Sequence, residues 1–276
     1  MSIRTLVVHT GGIGDFLLMC PTLKRLAEDG PLELAGPYRD RLHLAVASGI
    51  ADAAHDLDST GFGSVFAEVG DSVLRFLSGF DRVIVWMQDD GAIRKACESA
   101  GVRDIRIFPG LPPENWSRHA SDYFAECLGM GSLPPLRLPF ESDEAPHDVL
   151  IHPGSGGARK NWPMDRFATL AAKLESAGRR VEWIVGPAEE HLSLPEKSVL
   201  LAVPSLVTLA RHLSVTRLYV GNDSGITHLA AACGCESIAI FGPTNPVVWA
   251  PRGDHVTVVY EGAWPGFDRV RAALRL

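Results

Sequence analysis

The sequence lacks any long hydrophobic run, although its overall composition is ordinary. Its 276 residues are 46% hydrophobic and 21% charged, which is typical of a globular protein. No apolar stretch approaches the roughly 18–20 residues that a membrane-spanning helix needs. A strand-like run, Thr5-Leu6-Val7-Val8, stands where a secretory signal would have a basic segment and an apolar core. We therefore expect a cytoplasmic protein.

Cysteine is scarce and shows no pairing pattern. The chain has five cysteines, an odd number. Cys233 and Cys235 form a C-x-C, but no second pair could complete a zinc site with them. Buried free thiols in a reducing compartment are the expectation.

A surplus of basic residues is also absent. The formal net charge is −7, and acidic residues outnumber basic ones in both halves of the chain. Because domains that bind nucleic acid present a basic face to the phosphate backbone, we expect no nucleic acid partner. Binding to an anionic lipid would need a local basic cluster.

The pattern that dominates the chain is an apolar strand, a glycine-rich turn and an amphipathic helix, repeated several times. It predicts strands at 4–9, 32–35, 82–87, 104–108, 148–152, 180–185, 217–221 and 237–241. It predicts helices at 15–28, 117–128, 164–177, 205–213, 225–233 and 267–276.

Residues 131–147 interrupt this alternation with four prolines, a glycine and an acidic cluster, which is the composition of a linker. Alternating strands and helices on both sides predict an α/β fold with two Rossmann-like doubly wound domains facing a cleft. We place the first domain at 1–138, the linker at 139–147 and the second domain at 148–276. Ligands of such folds bind at the carboxyl ends of the strands, so the loops after the strands are the candidate sites.

The first glycine-rich loop is His9-Thr10-Gly11-Gly12-Ile13-Gly14-Asp15. Its glycines let a ligand approach the backbone, and the N-terminus of the following helix favours negative charge. A dinucleotide fingerprint would need a third glycine where Phe16 stands, which argues against a dehydrogenase. Asp15 has two interpretations, a carboxylate that caps the helix or a general base.

The second loop runs from Ile151 to Pro163 and contains three glycines. Their backbone N–H groups, the Ser155 hydroxyl and the mobile cation of Lys160 are groups that can hold a phosphate. The spacing does not match the Walker A motif, and a solvated turn is the alternative.

The third loop, Gly221-Asn222-Asp223-Ser224-Gly225, precedes a helix of small residues. We expect Ser224 and several backbone N–H groups to face a ligand, with His228 one turn further along. A histidine on such a helix is also commonly a packing residue. The fourth motif, Phe241-Gly242-Pro243-Thr244-Asn245-Pro246, is a rigid turn that by itself predicts only structure.

Together these segments resemble glycosyltransferase family nine, the heptosyltransferases of lipopolysaccharide core assembly. The family pattern G-x-G-D is matched at 12–15, and P-G-[ST] followed by K-x-W-P is matched at 153–155 and 160–163. D-[ST]-G-x-x-H-L-A-A-A is matched at 223–232, and F-G-P-T-x-P-x-x-W-x-P at 241–251.

The resemblance implies an inverting, metal-independent transfer of a sugar, expected to be heptose from ADP-heptose, to a lipopolysaccharide-core or related glycan. It makes Asp15 the general base and places Glu189 at the nucleoside. The residues that it assigns to the donor diphosphate or sugar are Gly12, Gly14, Ser155, Lys160, Asp223, Ser224, Gly225 and His228. The first domain would bind a glycan or glycolipid acceptor and the second the nucleotide sugar. No cofactor is expected, and membrane contact is at most peripheral, at the inner face of the inner membrane.

Other functions stay open. One is a nucleotide-sugar-binding module without transfer activity, and another is a nucleotide-sugar epimerase or a dehydrogenase on a related scaffold. Asp56-Leu57-Asp58 spells D-x-D, a metal motif of the other glycosyltransferase fold, and is interpreted as a surface turn. Arg39, Arg41, Arg75 and Arg118 are candidates for a basic patch that meets an anionic acceptor.

Overall fold

The computed structural model describes residues 2–186 and 192–274, and the chain divides into two compact units. Unit 1 consists of Met1–Trp116 and Ala120–Leu133, and unit 2 of Ser117–His119 and Pro134–Leu276. Each unit contains one parallel sheet, and in the described residues helices separate all successive strands except β7 and β8.

Unit 1 contains a five-stranded sheet in the order β3-β2-β1-β4-β5. Its strands are β1 (Thr5–His9), β2 (Leu32–Gly36), β3 (Ala53–Asp56), β4 (Arg82–Trp86) and β5 (Asp104–Phe108). Its helices are α1 (Ile13–Leu26), α2 (Arg39–Ala47), α3 (Asp71–Leu77), α4 (Ala92–Ser99) and α5 (Ala120–Cys127), with 3₁₀ turns at Asp58–Thr60 and Phe62–Phe66. The register places Val7 of the central strand between Leu34 and Ile84.

Unit 2 contains a six-stranded sheet in the order β11-β10-β9-β6-β7-β8. Its strands are β6 (His147–His152), β7 (Val181–Ile184), β8 (Val199–Leu201), β9 (Thr216–Asn222), β10 (Glu236–Ile240) and β11 (Val256–Val259). Its helices are α6 (Met164–Ser176), α7 (Leu206–Ser214), α8 (Gly225–Ala232), α9 (Pro246–Trp249) and α10 (Phe267–Ala273), with a 3₁₀ turn at Ala158–Lys160.

Both sheets have the strand order of a Rossmann fold. In unit 1 the strand order is 3-2-1-4-5. If the strands of unit 2 are renumbered with β6 as strand 1 and its sheet is read from the β8 edge, the order is 3-2-1-4-5-6. Every strand pair is parallel, so each connection crosses over the sheet, and right-handed crossovers in two directions place helices on both faces. The predicted α/β class with two doubly wound sheets is confirmed.

Each unit is held together by its own hydrophobic core. The central strands are apolar along their whole length because both faces of a doubly wound sheet are covered, and Leu6, Val7 and Val8 of β1 have no exposed surface. In unit 2 the core includes the buried indole of Trp162, which meets the ring of Phe167 edge to face at 5.1 Å. Such aromatic pairs anchor the start of α6 to the sheet.

The segment that was predicted as a linker is attached to unit 2. Leu138 is buried, and its N–H donates to the carbonyl of Ala232 at 2.9 Å. The guanidinium of Arg137 lies 3.1 Å from the ring of His255. The proline-rich composition therefore produces an extended segment with defined contacts.

Two local predictions are corrected by the structure. Asp56 is the last residue of β3, and Asp58 begins a 3₁₀ turn, so Asp56-Leu57-Asp58 is the end of a strand and not only a surface turn. The helix predicted at 117–128 begins at Ala120, because Ser117–His119 belong to unit 2. None of the helices in the described ranges has the length and apolar character that crossing a bilayer requires.

Candidate functional site

The two glycine-rich loops of unit 2 begin at neighbouring strands. β6 and β9 pair in parallel, with His152 opposite Gly221 at their carboxyl ends. From this pair the sheet continues through β7 on one side and through β10 on the other. This reversal is the topological switch point, where open α/β sheets bind their ligands.

Asn222, the last residue of β9, fastens the two loops to each other. Its side-chain amide is fully buried, and its Nδ2 donates to the carbonyl of Pro153 at 2.7 Å. Its Oδ1 accepts the backbone N–H of Trp162 at 2.9 Å. One side chain thus satisfies polar groups at both ends of the second loop, which a buried loop requires.

The tip of the second loop is stabilised by Ser155. Its Oγ lies 2.6 Å from Oδ1 of Asn161 and 2.8 Å from the carbonyl of Gly157, so the hydroxyl closes the loop on itself. Gly156 at the tip is exposed, and its backbone N–H makes no hydrogen bond within the described parts of the chain. The loop therefore presents a donor to the solvent at the switch point.

Lys160 and Thr244 converge on the carboxylate of Asp223. The Lys160 ammonium lies 2.8 Å from Asp223 Oδ2, and the Thr244 hydroxyl donates to the same oxygen at 2.7 Å. Asp223 is 7% exposed, whereas Lys160 is 40% exposed. The acid is fixed in place, while the longer cation retains access to solvent.

The N-terminus of α8 adds further donors beside this ion pair. Ser224 caps the helix, since its Oγ accepts the N–H of Thr227 at 3.3 Å. In the described ranges, the N–H groups of Gly225 and Ile226 have no acceptor, as is usual for a first helical turn. Together with the helix dipole they favour an anion at this position.

His228 lies one turn further along α8 and is buried. Burial lowers the pKa of its imidazole below the ordinary value, opposed by the nearby Asp223 and reinforced by His119 and Lys160. The backbone of Trp249 also hydrogen-bonds the ring. The ring is therefore neutral near pH 7.

In unit 1 the first glycine loop occupies the corresponding position after β1. Gly12 is the N-cap of α1, and its N–H donates to Asp15 Oδ2 at 3.0 Å. Asp15 is half-buried in the first turn, and Gly14 lies within that turn beside it. The capping geometry predicted as one of the two interpretations of Asp15 is present, and it also holds the carboxylate at a helix N-terminus.

The structure does not support the proposed basic patch. Arg41 is 1% exposed and donates to backbone carbonyls in the interior of unit 1, so it cannot meet an acceptor at the surface. Arg118 belongs to unit 2, whereas Arg39 and Arg75 lie on α2 and α3 of unit 1.

The donor-site residues predicted in unit 2 are brought together, and Asp15, Gly12 and Gly14 are brought together in unit 1. Glu189, predicted at the nucleoside, lies outside the described residues. Sequence reasoning missed the roles of Asn222 and Thr244, although both stand inside the quoted motifs. Within the described ranges no group of three or more His, Cys, Asp or Glu residues could hold a metal ion.

Two parallel sheets in Rossmann order, with glycine-rich loops at their switch points, define the class of two-Rossmann-unit (GT-B type) proteins. The sequence profile of glycosyltransferase family 9 (heptosyltransferase) matches residues 132–274. The match covers more than half of the chain, and the chain therefore belongs to this family.

Individual relatives agree with this placement. Lipopolysaccharide heptosyltransferase 1 of Pseudomonas aeruginosa is 30% identical in an alignment of 159 positions that covers 51% of this chain and 44% of that protein. The aligned region thus spans less than half the length of this relative.

Solved structures show the same fold along nearly the whole chain. The ADP-heptose LPS heptosyltransferase II of Escherichia coli has a TM-score of 0.75 at 17% identity, covering 99% of this chain and 98% of that one. The E. coli heptosyltransferase WaaC with ADP-2-deoxy-2-fluoro heptose has a TM-score of 0.67 at 18% identity, covering 99% of each chain.

Proposed function

We propose that this protein is an inverting, metal-independent glycosyltransferase that moves heptose from ADP-heptose onto a lipopolysaccharide-core or related glycan acceptor. The observation that carries the proposal is the convergence of donors at the switch point of unit 2. The tip of the Ser155 loop, the ammonium of Lys160 and the free N–H groups of α8 lie around one set of strand ends.

These groups suit the charge that develops when a nucleotide sugar reacts. As the bond between the anomeric carbon and the phosphate oxygen breaks, its electron pair stays with the leaving diphosphate. Fixed N–H groups and a cation that face this charge stabilise the transition state without a metal ion. Gly225 with Ser224, and Gly156 with Ser155, would provide the N–H donors.

Lys160 is the mobile member of this set. In the described structure its ammonium neutralises Asp223. We propose that the diphosphate draws the ammonium to itself, and that Asp223 and His228 then contact the donor sugar or its phosphates. A neutral His228 can donate a hydrogen bond without adding a second cation.

Asp15 is the proposed general base. The acceptor hydroxyl would attack the anomeric carbon from the face opposite the diphosphate, which inverts the configuration, while its proton passes to the Asp15 carboxylate. The hydrogen bond from Gly12 holds one carboxylate oxygen and fixes the direction of the other. A positioned base contributes typically ~10²–10⁴-fold in rate.

The donor and acceptor are assigned from the relatives. The solved E. coli enzyme holds an ADP-linked fluoroheptose, which supports an ADP-linked donor here. The name of the P. aeruginosa relative supports a lipopolysaccharide acceptor. We propose that Gly12 and Gly14 contribute N–H groups towards the reactants, and that the protein acts on the cytoplasmic side with at most peripheral membrane contact.

The test is a transfer assay with ADP-heptose and a deacylated lipopolysaccharide-core acceptor, run in EDTA. We expect release of ADP and a product whose anomeric configuration, measured by NMR, is inverted. Asp15→Asn should lower kcat at least ~10²-fold and leave the Kd for ADP unchanged. Asp71→Asn, which changes an exposed acid in the first turn of α3, is the matched control and should retain activity.

Three results would contradict parts of the proposal. Normal turnover by Asp15→Asn would leave Asp15 as a capping residue only. Loss of turnover in EDTA that Mg²⁺ restores would make the reaction metal-dependent. Tight ADP binding without transfer to any core acceptor would favour the nucleotide-sugar-binding module.

A further inference from the structure

Arg41 is a buried cation whose hydrogen bonds, in the part of the chain that the structure describes, go to backbone carbonyls. It extends from α2 into the interior of unit 1 and is 1% exposed. Its Nη2 donates to the carbonyl of His9 at 2.7 Å, and its Nη1 donates to the carbonyl of Gly11. Burying a guanidinium is costly, and salt bridges or a surface position are the usual solutions.

The residues around Arg41 leave space for its guanidinium and contact it. A Cβ at Gly36, the last residue of β2, would clash with Arg41 Nη2, so only glycine leaves room for the guanidinium. The rings of Phe16 and Tyr38 flank the cation, with their centroids 5.6 and 5.2 Å from its Cζ. These contacts offset part of the cost of burial.

The two carbonyls that Arg41 holds belong to the loop that presents Asp15. Gly11 is wedged between its neighbours, since an added Cβ would lie 2.7 Å from the ring of His9 and 3.0 Å from Cβ of Asp15. The Gly11 carbonyl that Arg41 holds and the Gly12 N–H belong to one peptide group, and that N–H donates to Asp15 Oδ2 at 3.0 Å. The hold of Arg41 on Gly11 therefore reaches the carboxylate through this hydrogen bond.

Asp15 also provides the formal negative charge near this cation. The titratable groups that face Arg41 in the described structure are His9 on β1, Asp15 and Cys20 on α1, and Tyr38 before α2. Burial lowers the pKa of His9 to about 3 and raises that of the Cys20 thiol, so both are neutral at pH 7. Burial also lowers the pKa of Arg41 to about 10, which leaves it charged.

We propose that Arg41 is the positioning residue of the Asp15 loop, fixing the backbone of His9 and Gly11 and placing a positive charge near the Asp15 carboxylate. This role rests on the proposed function of Asp15 as the general base. Arg41 would then support catalysis from the interior of unit 1, by acting on Asp15 and without contact with the substrate.

The experiment measures charge and turnover separately. The protein is labelled with ¹³C at the aspartate side-chain carboxyls, and the Asp15 signal is assigned by its disappearance in Asp15→Asn. Arg41→Gln should raise the midpoint of the Asp15 titration by at least about half a pH unit, because a nearby cation favours the carboxylate. It should also lower kcat about tenfold or more, with the KM for the nucleotide sugar unchanged, because the base is misplaced.

Two further variants separate the two roles of the side chain. Arg41→Lys keeps the positive charge but lacks the planar guanidinium that bonds two carbonyls at once. We therefore expect the wild-type midpoint of the Asp15 titration together with a reduced kcat. Arg25→Gln is the matched control, because Arg25 is an exposed arginine in the last turn of α1 and pairs with Asp29. It should leave both the midpoint and kcat unchanged.

The outcomes are distinct. A folded Arg41→Gln with the wild-type midpoint and kcat overturns the proposal. If Arg41→Gln fails to fold, Arg41→Lys decides: a reduced kcat at the normal melting temperature supports the positioning role, and a wild-type kcat overturns it. If the wild-type protein transfers no sugar, the proposed function fails, while the NMR titration still reports on the charge.

Discussion

At the scale of single residues, the candidate donor site is a set of side chains that satisfy one another. Lys160 and Thr244 share one oxygen of Asp223, and the Ser155 hydroxyl closes its own loop. Such internal partners keep the site ordered before any ligand binds, which reduces the entropy that binding must overcome. Lys160 is the member whose exposure lets it change partner.

Lys160 should therefore matter for the diphosphate and not for the nucleoside. Lys160→Ala should weaken ADP binding by roughly 1–3 kcal/mol, the range for a hydrogen bond that involves a charge, and leave adenosine binding unchanged. The variant also leaves Asp223 without its cation beside an incoming phosphate, which acts in the same direction. Calorimetric titration with both ligands is the measurement.

Arg159→Ala provides the comparison for this prediction, since Arg159 is an adjacent, exposed cation in the same 3₁₀ turn. It should leave both affinities near the wild-type values. Equal losses for ADP and adenosine in Lys160→Ala would mean that the lysine supports the loop and does not bind phosphate.

At the scale of the element, unit 2 contains two helices with the same start. α7 begins with Ser205 and Thr208, and α8 with Ser224 and Thr227, each serine accepting the N–H of the threonine three residues later. The helices differ in position, because α8 follows β9 at the switch point whereas α7 follows the edge strand β8. The same cap is structural in one helix and lies at the candidate site in the other.

This duplication permits a controlled comparison. Ser205→Ala and Ser224→Ala should each lower the free energy of unfolding by about 1 kcal/mol through loss of the cap. Only Ser224→Ala should also weaken ADP binding, because its helix presents the free N–H groups of Gly225 and Ile226. Urea unfolding and ADP titration of both variants test this, and equal ADP affinities in the two would remove α8 from the site.

At the scale of the whole molecule, both units contain buried, neutral histidines. Burial lowers the pKa of His9 in unit 1 to about 3, and it lowers the pKa of the buried His228 and of the partly buried His212 in unit 2 below the ordinary value. In the unfolded chain these rings titrate near the ordinary histidine pKa of 6.5. As the pH falls below 6.5, the unfolded chain gains protons that the folded chain does not accept, so the free energy of unfolding decreases.

The free energy of unfolding should therefore decrease as the pH falls from 6.5 to the pKa that each ring has in the folded protein. For His9 this pKa is about 3, so the loss continues to about pH 3. His9 contributes a slope of about 1.4 kcal/mol per pH unit over this range. His9→Leu should remove this slope from the pH dependence of the free energy of unfolding. His43→Gln, an exposed change on α2, should not. An unchanged slope in His9→Leu would show that the buried ring is not the source.

The local features of this protein were readable from its sequence. The central strands contain unbroken apolar runs, such as Leu6-Val7-Val8, and these were assigned correctly because both of their faces are covered. β3, β8 and β11 were not assigned. They are edge strands of four residues or fewer, and runs this short do not distinguish a strand from other structure even where, as in β8 and β11, most of their residues are apolar.

In the candidate site, too, some features follow from local sequence and others only from the tertiary structure. The sequence determined the glycine loops, the serine caps and the apolar strands, since each depends on the conformational preferences of a few adjacent residues. Only the tertiary structure decided that Asn222 holds Trp162 and Pro153, that Lys160 meets Asp223, and that Arg41 holds the loop of Asp15. These partners are 30 or more residues apart, and they meet because the order of parallel strands places their carboxyl ends side by side. Strand order follows from how the helices cover the whole sheet, which no local stretch of sequence encodes.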